Sequence, residues 1–154
     1  MIIFDLDGTL ADNSHRQHLV QNKTRARAWT QDWDAFYQAC HLDLPTLWCR
    51  VMGSLWANGH DIQIWSGRSD IVRLKTELWL LEHVYKPRNI VGRAPLRMRA
   101  EGDYTPDDRL KELWLLKELD GGATVEGVFD DRAKVVAMWR SHGIPCAQVA
   151  PGDF

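Results

Sequence analysis

The chain opens with an apolar segment that ends in two carboxylates, and this segment restricts the fold more than any other part of the sequence. Residues 2–10 read Ile-Ile-Phe-Asp-Leu-Asp-Gly-Thr-Leu. A short apolar run of this kind is typical of a parallel strand that helices cover on both faces. Open α/β sheets bind ligands at the carboxyl ends of their strands, where Asp5 and Asp7 would lie. We therefore expect an α/β protein with its functional crevice at the end of this first strand.

The spacing of the two acids indicates a shared ligand. Side chains alternate along a strand, so Asp5 and Asp7 are expected to point to one side and Leu6 to the other. Carboxylates this close repel each other unless a cation or a shared proton intervenes, which favours a Mg²⁺ site with one acid protonated. Gly8 permits a sharp turn just beyond them. The alternatives are a surface turn or a calcium loop, but an EF-hand needs Glu at its twelfth position, where this chain has Arg16.

Length and composition predict one globular domain. The chain has 154 residues, 45% apolar and 26% charged, and we expect a single domain over 1–154 with a small helical flap at about 12–44. It contains no apolar run of about 18 residues and no basic leader before the first strand, so a cytoplasmic location without membrane contact is expected. Cys40, Cys49 and Cys146 are odd in number and lack Cys-x-x-Cys spacing, which favours reduced thiols.

Two basic segments are candidates for contact with phosphate, although the net charge of −2 gives the whole protein no strong attraction to nucleic acid. One segment carries five cations without an acid, and the other carries six: Lys86, Arg88, Arg93, Arg97 and Arg99 in the first; His15, Arg16, His18, Lys23, Arg25 and Arg27 in the second. The alternative is that both are ordinary solvated faces.

Hydrophobic periodicity predicts alternating helices and strands after the flap. The expected helices lie at about 45–57, 71–84, 106–119 and 132–141, and the expected strands at 61–65, 125–129 and 143–149. Leu74, Leu78 and Leu81 are expected to form the buried stripe of the second helix. The basic region that contains Pro87 and Pro95 is expected to be irregular.

The residues that follow the predicted strands form a chemically complete set. Ser66 and Arg68 follow one strand, Asp130 and Asp131 follow another, and Lys111 lies on the preceding helix. Together with the first two acids they offer a nucleophile, a proton donor, a Mg²⁺ site and groups that bind phosphoryl oxygens. The sequence therefore predicts phosphoryl transfer, with an exposed helical lysine as the alternative reading of Lys111.

These motifs resemble the haloacid dehalogenase (HAD) superfamily, whose signature is Asp-x-Asp-x-Thr, a strand-end Ser or Thr, a Lys and a terminal acidic pair. The narrower likeness is to the 3′-phosphatase domains of phage polynucleotide kinases and covers nearly the whole chain, with residues 12–60 matching least. The residues that carry it are Asp5-Leu6-Asp7-Gly8-Thr9, Ser66-Gly67-Arg68, Gly102-Asp103, Asp107-Asp108, Lys111 and Asp130-Asp131-Arg132.

The resemblance implies a Rossmann-like, three-layer α/β/α fold with a mostly parallel sheet and a small cap. It also implies a Mg²⁺-dependent phosphomonoesterase in which Asp5 forms an aspartyl-phosphate and Asp7 acts as general acid and then as base. The implied metal ligands are Asp5, the backbone carbonyl of Asp7, and the pair Asp130 and Asp131.

Further roles follow from the same resemblance. Ser66 and Lys111 are expected to hold the phosphate, and Thr9, Arg16, Gly67 and Arg68 to contact the substrate. Arg132 is expected only to pair with a neighbouring acid.

The substrate is expected to be a nucleic-acid 3′ end. About 60 residues separate Asp5 from Ser66 and about 45 separate Ser66 from Lys111, which leaves no room for a large cap. The chain contains no Gly-x-x-x-x-Gly-Lys-Ser/Thr motif, so we expect dephosphorylation alone, with a separate kinase or ligase as partner. One alternative is a 5′(3′)-deoxynucleotidase for free nucleoside monophosphates, with Trp29, Trp33 or Phe36 stacking on the base. The other is a noncatalytic module that binds phosphorylated ends.

Overall fold

Helices and strands alternate through most of the chain. The computed structural model of the protein describes residues 1–20, 32–89 and 91–152, apart from the side chain of Arg88. The strands are β1 Ile2–Phe4, β2 Ala11–Asp12, β3 Leu44–Pro45, β4 Ile62–Ser69, β5 Leu96–Arg99, β6 Gly127–Asp130 and β7 Cys146–Gln148. The α-helices are α1 Trp33–Gln38, α2 Trp48–Ala57, α3 Arg73–Leu80, α4 Asp107–Asp120 and α5 Ala133–Ser141.

A five-stranded parallel sheet forms the centre of the fold, in the order β5-β4-β1-β6-β7. Strand β1 lies in the middle, where Ile3 pairs with Gln63 on one side and Val128 on the other. The backbone N–H of Asp5 continues this pairing and donates to the carbonyl of Phe129 at 2.9 Å. The first acid of the motif is therefore held at the centre of the carboxyl edge of the sheet.

Helices cover both faces of this sheet. Phe4 and Ile64 pack on one face with Met52 of α2 and Trp79 of α3. On the other face, Ile3 and Trp65 pack with Leu115 of α4 and Trp139 of α5. The alternation of Ile3 and Phe4 between two cores explains why β1 is apolar throughout. The predicted three-layer α/β/α fold is confirmed.

The predicted helices and strands are present with shifted boundaries, and two features differ. Pro45 pairs with Ala11 in the small antiparallel ribbon of β2 and β3, so α2 begins only at Trp48. Strand β5 lies in the region that was expected to be irregular. Its alternation of Leu96 and Met98 with two arginines is a period-two pattern that could have identified a strand.

The expected buried stripe of α3 is wrong for two of its three leucines. Leu74 is 69% exposed and Leu78 is 55% exposed, whereas Leu81 packs against the core. The helix turns Thr76 inward instead, because the Thr76 hydroxyl donates to the carbonyl of Val72 and accepts from Nη1 of the buried Arg68. This polar contact rotates the buried face away from the leucine stripe.

The segment expected to form a flap contains short elements in its described part. A 3₁₀ turn at Ser14–Leu19 precedes α1, and a second turn at Ala39–Leu42 follows it. Lys23, Arg25, Arg27 and Trp29 lie outside the described residues. The helices that the structure describes include none that is long and apolar enough to cross a membrane. The three cysteines are free thiols, as predicted.

Candidate active site

A buried lysine joins the first motif to the last. Lys111 of α4 donates from Nζ to Oδ1 of Asp5 at 2.6 Å and to Oδ2 of Asp130 at 2.8 Å. Lys111 and Asp130 are each 1% exposed, and Asp5 is 5% exposed. The structure therefore brings together three of the predicted residues and excludes the reading of Lys111 as an exposed helical lysine.

Asp131 completes a group of carboxylates around the same point. Oxygen atoms of Asp5, Asp130 and Asp131 all lie within 4.8 Å of one another. Burial, together with the neighbouring Asp130, raises the pKa of Asp131 to about 7, and burial also raises the pKa of Asp5 well above its usual value. Carboxylate oxygens are the ligands that hard cations such as Mg²⁺ prefer. The donor set, with three carboxylates for one ammonium group, thus fits a divalent cation.

The turn after the motif depends on Gly8. Its φ of +88° lies in the left-handed region, which favours glycine. A Cβ atom at this position would lie 2.1 Å from Oδ2 of Asp131. The predicted turn is confirmed. Because Gly8 has no side chain, the backbone can also approach the acidic pair closely.

Two arginines bind the second acid of the motif, and we call Asp7, Arg16, Arg68 and Asp43 the arginine clamp. Arg68 donates to both oxygens of Asp7, from Nη2 at 2.6 Å and from Nε at 3.1 Å, and Arg16 also donates to Asp7. Asp43 accepts from Nε and Nη2 of Arg16 at 2.7 and 2.6 Å, and from Nη2 of Arg68 at 2.9 Å. Both predicted substrate-binding arginines are therefore held beside Asp7.

Asp43 is a residue that sequence reasoning missed. Its side chain is completely buried, and its Oδ1 also forms a hydrogen bond with Nε2 of His15 at 3.0 Å. A single acid just before a two-residue strand carries no periodic signal, so only the tertiary contacts reveal it.

The surroundings of the two acids of the motif shift their pKa values in opposite directions. Burial alone would raise the pKa of Asp7, but Arg68 and Arg16 outweigh it and hold that pKa below its usual range. Both acids line the same cleft, where Asp7 lies between arginines and Asp5 faces Lys111. That they share one Mg²⁺ with one acid protonated stays a prediction. The side chain of Asp7 lies outside the carboxylate group, so only its backbone carbonyl remains as a predicted metal ligand.

Ser66 and Gly67 occupy the end of β4. Ser66 is fully buried, and its Oγ accepts from the backbone N–H of Arg68 at 3.1 Å. Gly67 lines the cleft, where a Cβ atom would lie 1.9 Å from Oδ1 of Asp107. The absence of a side chain at Gly67 therefore makes room for Asp107.

Thr9 does not reach the cleft. It is fully buried, and its carbonyl accepts from the hydroxyl of Thr46 at 2.5 Å, which ties the motif loop to the ribbon of β2 and β3. The structure thus gives the backbone of this residue a bonding role inside the loop, and its contact with substrate stays a prediction.

Asp107 organises the other side of the cleft. It accepts from Nη2 of Arg99 at 2.8 Å and from Nη1 of Arg132 at 3.2 Å. Arg99 also donates from Nε to the carbonyl of Gly67 at 2.8 Å. The expected pairing of Arg132 with an acid is found, and in addition both arginines line the cleft.

The basic segment 86–99 does not form one phosphate-binding face. Lys86 pairs with Glu82 at 2.7 Å, and Arg97 pairs with Glu118. Among its members whose side chains are described, only Arg99 lines the large cleft.

The cleft itself has a volume of about 670 Å³ and opens above Asp5 and Asp7. One wall belongs to α1 and the other to the loop from Arg99 to Asp107. Four further acids lie along these walls: Asp32, Asp34, Glu101 and Asp103. A site of this size accommodates a small molecule or one residue of a polymer.

Known proteins are similar to this chain in sequence and in architecture. The family described as the polynucleotide kinase PNKP phosphatase domain matches residues 1–154. Chains in two solved structures, of the Pnkp1/Rnl/Hen1 RNA repair complex and of the Pnkp1/Rnl/Hen1 complex, are 30% identical to this chain, each with a TM-score of 0.70. Both matches cover 99% of this protein, which spans only 43% and 46% of those chains.

A more distant structure shares the fold. A Class C acid phosphatase from Bacillus anthracis with tungstate bound is 15% identical, with a TM-score of 0.57 over 97% of this chain and 67% of that one. The family match extends over the whole chain, and the motif residues that the resemblance rests on meet at one edge of the sheet, around Asp5 and Lys111. The chain therefore belongs to the family of polynucleotide kinase PNKP phosphatase domains and is a phosphatase of the HAD type.

Proposed function

We propose that this protein is a Mg²⁺-dependent phosphomonoesterase that removes the terminal phosphate from nucleic-acid 3′ ends through an aspartyl-phosphate on Asp5. One observation carries the proposal. The buried Asp5 carboxylate, bonded to Lys111, and the arginine-bound Asp7 carboxylate line the same cleft. A nucleophile must be ionised and a proton donor must be protonated, so Mg²⁺ beside Asp5 and phosphate beside the arginines of Asp7 would each have to shift the pKa toward its role.

Asp5 attacks the phosphorus atom in the first step. One of its oxygens accepts from Lys111, which fixes the carboxylate and leaves the second oxygen for the new O–P bond. The ester P–O bond breaks as that bond forms, and the leaving 3′ oxygen takes a proton from Asp7. Water then attacks the phosphorus of the aspartyl-phosphate while Asp7 accepts its proton, which regenerates both acids.

Asp5, Asp130 and Asp131, with the Asp7 carbonyl, would hold Mg²⁺, which supplies positive charge to the phosphoryl group when bound. Lys111 supplies a second positive charge from the protein itself. Because its ammonium group already bonds Asp5 and Asp130, it lies where phosphoryl oxygens approach the nucleophile.

The arginine clamp controls the proton of Asp7. In the absence of substrate, Arg16 and Arg68 keep Asp7 ionised. A phosphate dianion in the cleft competes for Arg68, which lines the cleft, since arginine binds phosphate and carboxylate with the same geometry. As its guanidinium group turns toward the phosphate, the pKa of Asp7 rises and the residue can take up the proton that the leaving group needs.

Two findings support a nucleic-acid substrate and repair partners. The described flap elements are short, and a small cap leaves a phosphatase cleft open to the end of a polymer. The relatives with 30% identity belong to structures of an RNA repair complex. We propose that a kinase or ligase, in a separate chain or beyond this one, acts on the ends that this protein dephosphorylates.

A nucleotidase that acts on free nucleoside monophosphates is the second candidate. One specific observation favours it: Asp32, Asp34, Glu101 and Asp103 line the cleft walls and repel the additional phosphates of a longer strand.

A substrate panel under Mg²⁺ tests the two functions. We expect a 3′-phosphorylated oligonucleotide to be hydrolysed with a higher kcat/KM than the matching nucleoside 3′- and 5′-monophosphates, and a 5′-phosphorylated oligonucleotide to be left intact. Faster turnover of the free nucleotides would favour the nucleotidase. Phosphate release that persists in Asp5→Asn would contradict both.

A further inference from the structure

An aromatic wall on α1 is the feature of the cleft that phosphate chemistry does not explain. Trp33, Phe36 and Tyr37 are spaced to share one helix face. Their ring centroids lie 5.7 Å apart for Trp33 and Phe36, and 5.8 Å apart for each of the other two pairs. All three rings line the cleft. Phe36 is buried like a core residue, but Trp33 is 40% exposed, and burial does not account for its position.

The wall lies within reach of a group attached to the reacting phosphate. The guanidinium carbon of Arg16 lies 4.1 Å from the centroid of the Phe36 ring, and the same arginine donates to Asp7. Phe36 contacts Trp33 in turn. Two side chains, Arg16 and Phe36, therefore lie between the proton-transfer group and the exposed ring.

Charge around the wall selects a neutral group. Asp32, whose carboxylate caps α1 by accepting from the backbone N–H of Ala35 at 2.8 Å, and Asp34 both line the cleft beside Trp33. These carboxylates disfavour a second phosphate at this position, and they can accept hydrogen bonds from exocyclic amino groups. A flat, uncharged ring with amino groups at its edge fits this combination.

We propose that Trp33 and Tyr37 form a stacking subsite for one nucleobase, that of the nucleotide whose phosphate is removed. The inference rests on the proposed function because it requires a nucleotide as substrate. The cleft volume of about 670 Å³ has room for a nucleoside beside the phosphate. Stacking on an aromatic side chain is independent of base identity, so the subsite binds the terminal residue of any sequence.

The test compares substrates with and without the terminal base. Trp33→Ala is assayed on a 3′-phosphorylated oligonucleotide, on the same oligonucleotide with an abasic terminal residue, and on glycerol phosphate. We expect KM for the base-bearing substrate to rise about tenfold or more, with kcat within about twofold of the unaltered protein. Neither of the other two substrates should respond to the substitution.

Further variants separate stacking from folding. Trp33→Phe keeps a π face and should recover most of the loss, whereas Trp33→Leu keeps apolar volume and should not. Leu113→Ala, on the exposed face of α4, serves as the matched control and should change none of the three activities. Thermal unfolding of each variant shows whether its fold is intact.

Two results would overturn the subsite, and they differ from each other. If Trp33→Ala leaves KM for the base-bearing oligonucleotide unchanged, or raises KM equally for the abasic one, stacking on Trp33 is wrong while the proposed function stands. If the unaltered protein hydrolyses glycerol phosphate but no nucleotide or oligonucleotide, the proposed function is wrong, and the subsite is overturned with it.

Discussion

The two halves of the active site are built differently although their acids are two residues apart. Asp5 accepts a hydrogen bond from the ammonium group of Lys111. All the elements of its half, β1, α4 and β6, belong to the sheet and its helices. Asp7 lies between Arg16 and Arg68, and its half joins the end of β4 to the segment before β3. The comparison teaches that two carboxylates of one motif acquire different charge and hydrogen bonding from their surroundings.

The two halves also take their residues from different parts of the chain, one from the sheet and its helices and the other partly from the flap. The Lys111 half is complete once the parallel sheet and its helices have formed. The arginine clamp requires Asp43 and Arg16, which come from the segment expected to form the flap. Changes in the first half should therefore affect metal binding and chemistry together, and changes in the second should affect proton transfer and phosphate binding alone.

Asp5→Asn should have the largest effect. We expect kcat to fall by more than about a thousandfold, because the nucleophile is lost, and Mg²⁺ affinity to fall as well. Phosphate-release assays and calorimetric Mg²⁺ titration measure the two quantities. The control is Asp120→Asn, an exposed carboxylate at the opposite end of α4 from Asp107, which should change neither.

Asp7→Asn should lower kcat without a matching loss of Mg²⁺ affinity. We expect kcat to fall by about a hundredfold to a thousandfold, since general acid and base catalysis is lost. Mg²⁺ affinity should stay within a few-fold of the unaltered protein, because only the backbone carbonyl of Asp7 is a candidate ligand. A loss of Mg²⁺ affinity as large as that of Asp5→Asn would show that the two halves are not distinct.

Asp43→Asn should damage only the arginine half. The amide keeps the size of the side chain but removes the charge that holds Arg16 and Arg68. We expect kcat/KM to fall by about tenfold to a hundredfold, mostly through KM, and the free energy of unfolding to fall by about 3 kcal/mol. Mg²⁺ affinity should not change. Asp61→Asn, at a side chain that is 72% exposed, provides the control, and an equal loss in both variants would contradict the role of the clamp.

The stability of the metal-free protein should fall as pH rises from about 4 to about 7. The pKa of Asp131 is raised to about 7 from an ordinary value of 3.8. Across this interval the folded state holds a proton that the unfolded state has lost, so deprotonation destabilises the fold. The lowered pKa of Asp7 acts below this interval and does not oppose the effect.

Thermal unfolding with a chelator present measures this decline. We expect Tm to drop by several degrees between about pH 5 and about pH 7.5, and Asp131→Asn to reduce the drop, with the remainder coming from Asp5, whose pKa is also raised. Mg²⁺ should raise Tm more at the higher pH. If the Tm of the unaltered protein does not change over this pH range, the account is contradicted, because the positive charge of Lys111 would then be enough to compensate the ionised carboxylates.

The sequence predicted the first half of the site and most of the fold because both follow local patterns. Strand ends placed Asp5 and Asp130 at one edge of the sheet, and Lys111 on the helix before the last pair completed the expected set. Asp43 was not predictable, since its importance arises only from contacts with arginines distant in sequence.

The errors in the fold have physical causes of the same kind. Periodicity identified the leucine stripe of α3 but could not show that Thr76 would take the buried face by bonding Arg68. The placement of Leu74 and Leu78 in the core was therefore wrong. Pro45 fitted the first turn of a helix equally well as the ribbon in which it lies.

The most direct test of the two-half account is to trap the phosphorylated enzyme in Asp7→Asn. With p-nitrophenyl phosphate the leaving group needs no proton, so Asp5 should still be phosphorylated, whereas its release needs the missing base. We predict a burst of one nitrophenolate per chain in Mg²⁺, followed by slow turnover, and a phosphoryl group on the peptide that contains Asp5 after acid quench. A steady rate without a burst, or a phosphoryl group on any other residue, would contradict the assignment of Asp5 as nucleophile and Asp7 as proton carrier.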